Sequence, residues 1–289
     1  IWNLPVLWRE TCTRAYGRKM IFVKLAYFLL AGFIIFNLSR SYDSQKIILG
    51  MLSPVGFAFA SLSLVSLILV NAQAVTSLTS ERDAQTLELL LVTNVTAKEF
   101  VFGKLGGVLF NAKEVILVPL ILLFSLALNG EFTMESTFYV TISYLVLVAF
   151  SAMVGLHAGL SYGQSRAAIA NSLGTVFFLF VGIFVCMMLI VEARASFELQ
   201  LTPFLVFILG GGLGLWASLS HKNPSPALMI ASGLLPFLTF YAITGYLIGG
   251  TLGVALSVVA AYGFTTLAML VPAIGSFDVA LGRSSADKG

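Results

Sequence analysis

What most limits the fold of this chain is a succession of apolar stretches, each long enough to cross a bilayer. About 20 mostly apolar residues give a helix the length of the hydrocarbon core. Such stretches lie near 20–38, 48–78, 105–128, 138–162, 173–191, 202–219, 227–246 and 250–272. In lipid a helix satisfies its own backbone hydrogen bonds, whereas an open strand does not. The expected fold is therefore all-α and polytopic, with eight candidate spans. Gly245, Gly249 and Gly250 admit two readings: a tight turn between the last two helices, or glycines inside helix, which leaves six or seven spans. Composition agrees, since 58% of the 289 residues are hydrophobic and 10% charged, against roughly 45–50% and about 25% in soluble domains. So little charge excludes a disordered chain and a nucleic-acid binder.

Orientation follows from the lysines and arginines. With an even number of spans, one side holds Arg9, Arg14, Arg18, Lys19, Arg82, Lys98 and five more, eleven in all, and the other holds Arg40, Lys46 and Arg194. The expectation is an integral membrane protein of the bacterial inner (plasma) membrane, with both termini cytoplasmic. Residues 1–19 lack the charged start and apolar centre of a cleavable signal. They read as an amphipathic interfacial helix, with Trp2, Leu4, Val6, Leu7 and Trp8 among the headgroups and Arg9, Arg14, Arg18 and Lys19 facing anionic membrane lipid. Cys12 falls on the cytoplasmic side and Cys186 in a span, so no disulfide is expected.

The one long connection on the basic side, 79–104, carries seven charged residues counting Lys104. Ala84, Leu87 and Leu91 recur at helical spacing, Thr93-Asn94-Val95 breaks the pattern, and Thr96 with Glu99 forms a capping-box pair. The expectation is a charged helical hairpin whose second arm runs into the third span. The whole chain is then one membrane domain: an interfacial helix at 1–19, this coupling segment at 79–104, the remaining spans at 105–272 and a tail at 273–289.

Within 79–104, Glu81-Arg82-Asp83-Ala84-Gln85-Thr86-Leu87-Glu88, followed by Leu89 to Thr93, Thr96, Glu99 and Gly103-Lys104, resembles the cytoplasmic signature of ABC type-2 transporter permeases. Those subunits read E-R-E-x-G-T-L-E-x-L-L, then a short gap, an acidic-hydrophobic step and G-K. Gln85 and Asn94 stand where the family often has Gly and Pro, and Trp8-Arg9-Glu10 before the first span and Arg166 after the fourth extend the likeness. Six spans are commoner in the family than eight. The resemblance implies the transmembrane subunit of an ABC exporter: a dimer with a second permease, identical or related, docked to cytoplasmic ATPase subunits and passing a substrate outward. It places ATPase docking on Glu81, Arg82, Thr86, Leu87 and Glu88, with Lys98 and Glu99 near. ATP and Mg would then sit on the partner ATPase, with no cofactor on this chain.

A phosphate loop needs G-x-x-x-x-G-K-[ST]. The only Gly-Lys pair, Gly103-Lys104, is followed by Leu105 and preceded by Lys98 where the first Gly belongs. Hydrolysis, and an enzyme role generally, is therefore not expected. His157 and His221 are the only histidines and the acids are dispersed, so neither a metal site nor a membrane-embedded catalytic cluster is expected. Lys24 lies near enough to its span's inner end to snorkel. Asn111 and Glu114, with Lys113 beside them, read either as a polar surface lining a route or as an interfacial patch. Glu114 also supports the second function considered, an ion-coupled secondary transporter. His157 is expected to bond to a neighbouring helix. The stripes Ser151-Gly155-Gly159-Gly163 and Gly249-Gly253-Ser257-Ala261 are expected to be packing faces, while Pro54 and Pro119 are expected to kink their spans.

Overall fold

The structure, a computed structural model, describes residues 5–12, 19–40, 48, 52–85, 95–193, 196–222 and 224–280. Among these residues it contains ten helices and no strand. They are α1 (Pro5–Cys12), α2 (Lys19–Arg40), α3 (Pro54–Asp83), α4 (Ala97–Asn111), α5 (Lys113–Leu128), α6 (Met134–Ser161), α7 (Ser165–Ala193), α8 (Phe197–Leu219), α9 (Pro226–Leu247) and α10 (Leu252–Ala280). Seven are long and apolar enough to cross a membrane, and α4 with α5 makes an eighth when the two are counted as one broken span. The protein is an all-α polytopic integral membrane protein.

Packing shows that the α4–α5 pair runs the full depth of the bundle. Phe100 and Val101 of α4 share a core with Leu78 near the Asp83 end of α3. Leu122 and Leu126 of α5 share one with Val55 and Ala58 at its Pro54 end. The pair bends by 57° at Ala112. The bend is not at Pro119, the expected kink, which lies inside α5. Pro119 lacks the N–H that would bond to the Val115 carbonyl. The Tyr27 hydroxyl of α2 supplies the substitute, lying 3.3 Å from Val115 O and 3.3 Å from Leu62 O of α3, so the two carbonyls share its one proton.

Pro54 corrects a second expectation. It does not kink a span but starts one, because its missing N–H costs nothing in the first turn, where Ser53 caps the helix by accepting from the Gly56 N–H at 3.0 Å. The helix accordingly begins six residues later than the apolar run and continues to Asp83, which takes Glu81, Arg82 and Asp83 out of the loop and onto the last turn of a span. The first arm of the expected hairpin is also corrected at its base. Gln85 adopts φ +56°, a left-handed conformation that ends the helix, and 86–94 lie outside the described residues. The second arm starts where the capping box places it, with Glu99 N–H donating to Thr96 Oγ1 at 3.2 Å and Thr96 N–H to Glu99 Oε2 at 3.0 Å.

Small residues set the most extensive helix contact, between α3 and α6. A Cβ on Gly155 would lie 2.6 Å from Ala74 Cβ and 2.7 Å from Asn71 O, while Gly159 faces Leu78. Asn71 cross-links this seam by donating to Ser151 O at 2.9 Å and accepting from Ser172 Oγ at 2.9 Å. Gly163, the last of the stripe, faces open space. Between α9 and α10 the chain turns at Ile248–Gly249. Gly249 has φ +84° and the Gly250 N–H bonds to Gly245 O at 2.8 Å, so the turn reading holds. α10 continues past 272 to Ala280, so the first part of the expected tail is helix.

Candidate functional site

Two features stand at opposite ends of α3 and α6. At the Asp83 end, α1 lies in a groove of α4 made by glycines. Val6 and Glu10 repeat four residues apart, as do Gly103 and Gly107. A Cβ at Gly103 would fall 2.9 Å from Val6 Cβ, and one at Gly107 2.4 Å from Glu10 Cβ. Gly106 similarly receives Leu7. This corrects the expected place of Val6, which with Glu10 is buried in protein and not among headgroups, while Trp8 keeps its exposure.

The groove delivers Glu10 to Lys104. The Lys104 Nζ donates to Glu10 Oε1 at 2.7 Å and lies 2.8 Å from Glu81 Oε1, with its side chain 2% exposed. Arg9 donates to Glu10 Oε1 at 3.0 Å and also pairs with Glu81. Arg9 therefore faces carboxylates, because the groove carries its helix onto protein, while a third of its side chain stays exposed. Among the described residues, two cations and two carboxylates from three segments thus form a knot whose charges balance. Asn111 completes it by donating to the Glu10 carbonyl at 3.0 Å, an orphan acceptor at the end of α1. Burial pushes the Glu10 carboxyl up, but the charge and hydrogen bond of Lys104, with Arg9 behind them, outweigh it and hold the group below the ordinary carboxylate range.

Beside the knot, Arg82 donates to the carbonyls of Gly159 and Tyr162 at the C-terminus of α6. Asp83 accepts from Ser165 Oγ at 2.6 Å at the start of α7. Of the residues expected to dock an ATPase, Glu81 and Arg82 are therefore engaged within the chain, Lys98 is exposed, and Glu99 serves the cap of α4. Thr86, Leu87 and Glu88 lie outside the described residues. Nearby, His157 bonds through Nε2 to Leu219 O of α8 at 2.8 Å, and Tyr162 stacks on His221 with ring centroids 4.4 Å apart.

At the Pro54 end, α3, α6, α7, α9 and α10 line a half-open cavity of about 790 Å³. Its mouth is formed by Leu52, Ser53, Phe132 and Gly249 to Thr251, and it reaches inward to Leu67, Leu147 and Tyr262. A π-helical segment of α7, Phe177–Gly182, turns Phe180 and Val181 into it. Such wide turns often mark functional positions. No Asp, Glu, Lys, Arg or His lines the cavity among the described residues. Asn111 and Glu114 do not line it either. Glu114 pairs with Lys24 of α2 at 2.7 Å beside the bend, so Lys24 has a protein partner as well as a route to the interface. No expectation from the sequence points to the cavity. Its signal is the clustering of Ser61, Ser63, Ser143, Tyr144, Tyr246 and Tyr262 in the halves of spans remote from the basic loops.

Fold and site define a class, a polytopic helical membrane protein with an ion-paired loop base at one end and an uncharged cavity at the other. In comparisons with protein-family models, curated proteins and solved structures, nothing matches the chain.

Proposed function

We propose that this chain is the membrane-spanning permease subunit of an ATP-driven ABC exporter, in the membrane with its 79–104 segment on the cytoplasmic side, working with a second permease and with separate ATPase subunits. One observation carries the reading. The three pieces of the family-like pattern, Trp8-Arg9-Glu10, Glu81-Arg82-Asp83 and Gly103-Lys104, are far apart in sequence yet meet in one knot at the base of the loop. A loop pushed or pulled by a soluble ATPase transmits force only if its base is stiff. Here both flanks of 86–94 are tied by buried ion pairs to each other and to α1, and Arg82 and Asp83 tie them to α6 and α7. Glu81 and Arg82 act as anchors in this scheme, while Thr86, Leu87, Glu88 and Lys98 supply the docking surface, with charges giving register and Leu87 an apolar peg.

The second reading, ion coupling through Glu114, has less support. Its carboxylate is paired with Lys24, and the cavity has no carboxylate among the described residues.

Affinity purification of the detergent-solubilised full chain, with Glu88→Arg as control, tests the proposal. An ABC ATPase that co-purifies with the native chain and is lost from the variant is the expected result. A chain that purifies alone in both cases overturns the reading.

A further inference from the structure

We propose that the cavity at the Pro54 end is a binding site for an uncharged, mostly apolar molecule that carries one hydrogen-bond acceptor, held through the Ser63 hydroxyl. Three observations lead there. Its volume, about 790 Å³, lies within the range of pockets for drug-sized ligands, roughly 300–1,000 Å³. Its lining has no charged side chain among the described residues, so nothing offsets the cost of desolvating an ionic group there. Aromatic and aliphatic side chains, Phe57, Phe59, Phe180, Phe184 and Val258 among them, make up most of the wall.

The third observation is the state of the hydroxyls. Thr239 Oγ1 donates to Leu235 O at 2.6 Å, so the Tyr262 hydroxyl, 2.6 Å away, donates to Thr239. Tyr144 donates to Ile116 O at 3.3 Å and accepts from Ser66 at 2.8 Å. Both deep tyrosines have thus committed their protons to the protein. Ser63 lines the cavity and is 9% exposed; its Oγ is itself fully buried and has no hydrogen-bond partner, so it meets a ligand by turning to another staggered χ1 rotamer. A serine in a span ordinarily bonds back to its own helix, and a buried hydroxyl without a partner costs about 1–3 kcal/mol. An ester, ketone, ether or alcohol oxygen on an apolar body meets that need, about 14 Å in from the start of α3 at 1.5 Å per residue.

This chemistry has two sources, a neutral bilayer lipid and a small neutral compound arriving from water. The inference rests on the transport reading only in naming the ligand as cargo; the binding itself needs neither nucleotide nor ATPase, so the two fail independently. The test uses the full chain in phosphatidylcholine nanodiscs, with photolabelling mapped by peptide mass spectrometry. The probes are a diazirine-tailed diacylglycerol, its phosphatidate analogue, benzophenone and benzophenone-4-carboxylate.

One or both neutral probes are expected to label 57–64 and 239–246, with the anionic counterpart at least tenfold weaker there. Labelling by the diacylglycerol assigns the lipid source, and labelling by benzophenone the aqueous one. Ser63→Trp is expected to abolish cavity labelling while labelling of the lipid-facing α2 stays constant, which reports that the variant is folded. Ser63→Ala is expected to weaken it about fivefold, the effect of one hydrogen bond. Labelling confined to α2 and other lipid-facing residues, equal labelling by the anionic probes, or Ser63→Ala without effect overturns the proposal.

Discussion

Replacing Lys104 by methionine isolates the knot, because it keeps most of the side chain's bulk and removes the ammonium. In the native protein that ammonium lies 2.7 Å from Glu10 and 2.8 Å from Glu81, almost fully buried. At an effective dielectric constant of about 20, a contact at 2.7 Å is worth roughly 6 kcal/mol before desolvation is counted, which is an upper bound. Removing one partner of a buried pair costs about 3–5 kcal/mol, since the remaining charge is left uncompensated. Without Lys104, Arg9 is the cation left to both carboxylates among the described residues, and at 33% exposed it is the weaker partner.

The assay is unfolding of the full chain in mixed micelles at pH 7, followed by tryptophan fluorescence, on Lys104→Met, Glu10→Gln and the double variant. Lys104→Met is expected to lose about 3–5 kcal/mol. The double variant, which restores neutrality with Arg9 and Glu81, is expected to lose about 2 kcal/mol less than the two singles together. The pH dependence has a definite sign. The Glu10 carboxyl titrates below its ordinary value, so its contribution is present above the ordinary glutamate range, near 4.3, and is lost as pH falls through the depressed folded value. The stability gap between the native chain and Glu10→Gln must therefore close at the acid end. Native-like stability of Lys104→Met, or single-variant costs that simply add, refutes the knot as an energetic unit.

Three further outcomes test the packing. Gly107→Ala puts a Cβ 2.4 Å from Glu10 Cβ and is expected to lift α1 from its groove, raising hydrogen exchange of the Val6–Glu10 amides roughly tenfold with α9 unchanged. Gly155→Leu must force α3 and α6 apart, at a cost of about 3 kcal/mol seen as lost monodisperse protein, whereas Gly163→Ala, with nothing within 4 Å, is expected to be silent. Tyr27→Phe should cost about 1 kcal/mol, and less in a Pro119→Ala background, where Val115 O regains its own helical partner; equal costs in both backgrounds would remove the tyrosine's role at the proline.

The parts of this architecture legible in the sequence are those governed by short-range or periodic physics. The span lengths follow from the apolar runs, the start of α4 from Thr96 and Glu99, the α3–α6 seam from the stripe through Gly155 and Gly159, and the last turn from Gly249. His157 was assigned a neighbouring helix as partner from its isolation in an apolar span, and Leu219 O is that partner. Pro54 was misread because the same residue kinks a helix from within and starts one at its edge, and the apolar residues before it hid the edge.

The candidate site was less legible. Residues 81, 82 and 99 were visible as charges near a loop, but their partners were not, because Glu81 meets Arg9 across 72 positions and Lys104 meets Glu10 across 94. Ion pairing of that kind depends on which helices are adjacent and on which glycines admit a neighbour's backbone. Periodicity along one helix carries no such information. The half-open cavity at the far end likewise arises where five helices meet. The chain by itself settled that its helices are long and apolar enough to lie in the membrane and which faces are small or polar, since each is set by the transfer of a segment from water to lipid. The tertiary structure alone decided which charges neutralise one another and where a cavity with an unspent Ser63 hydroxyl is left. Those are properties of pairs of helices, fixed by burial and shape and not by any one segment.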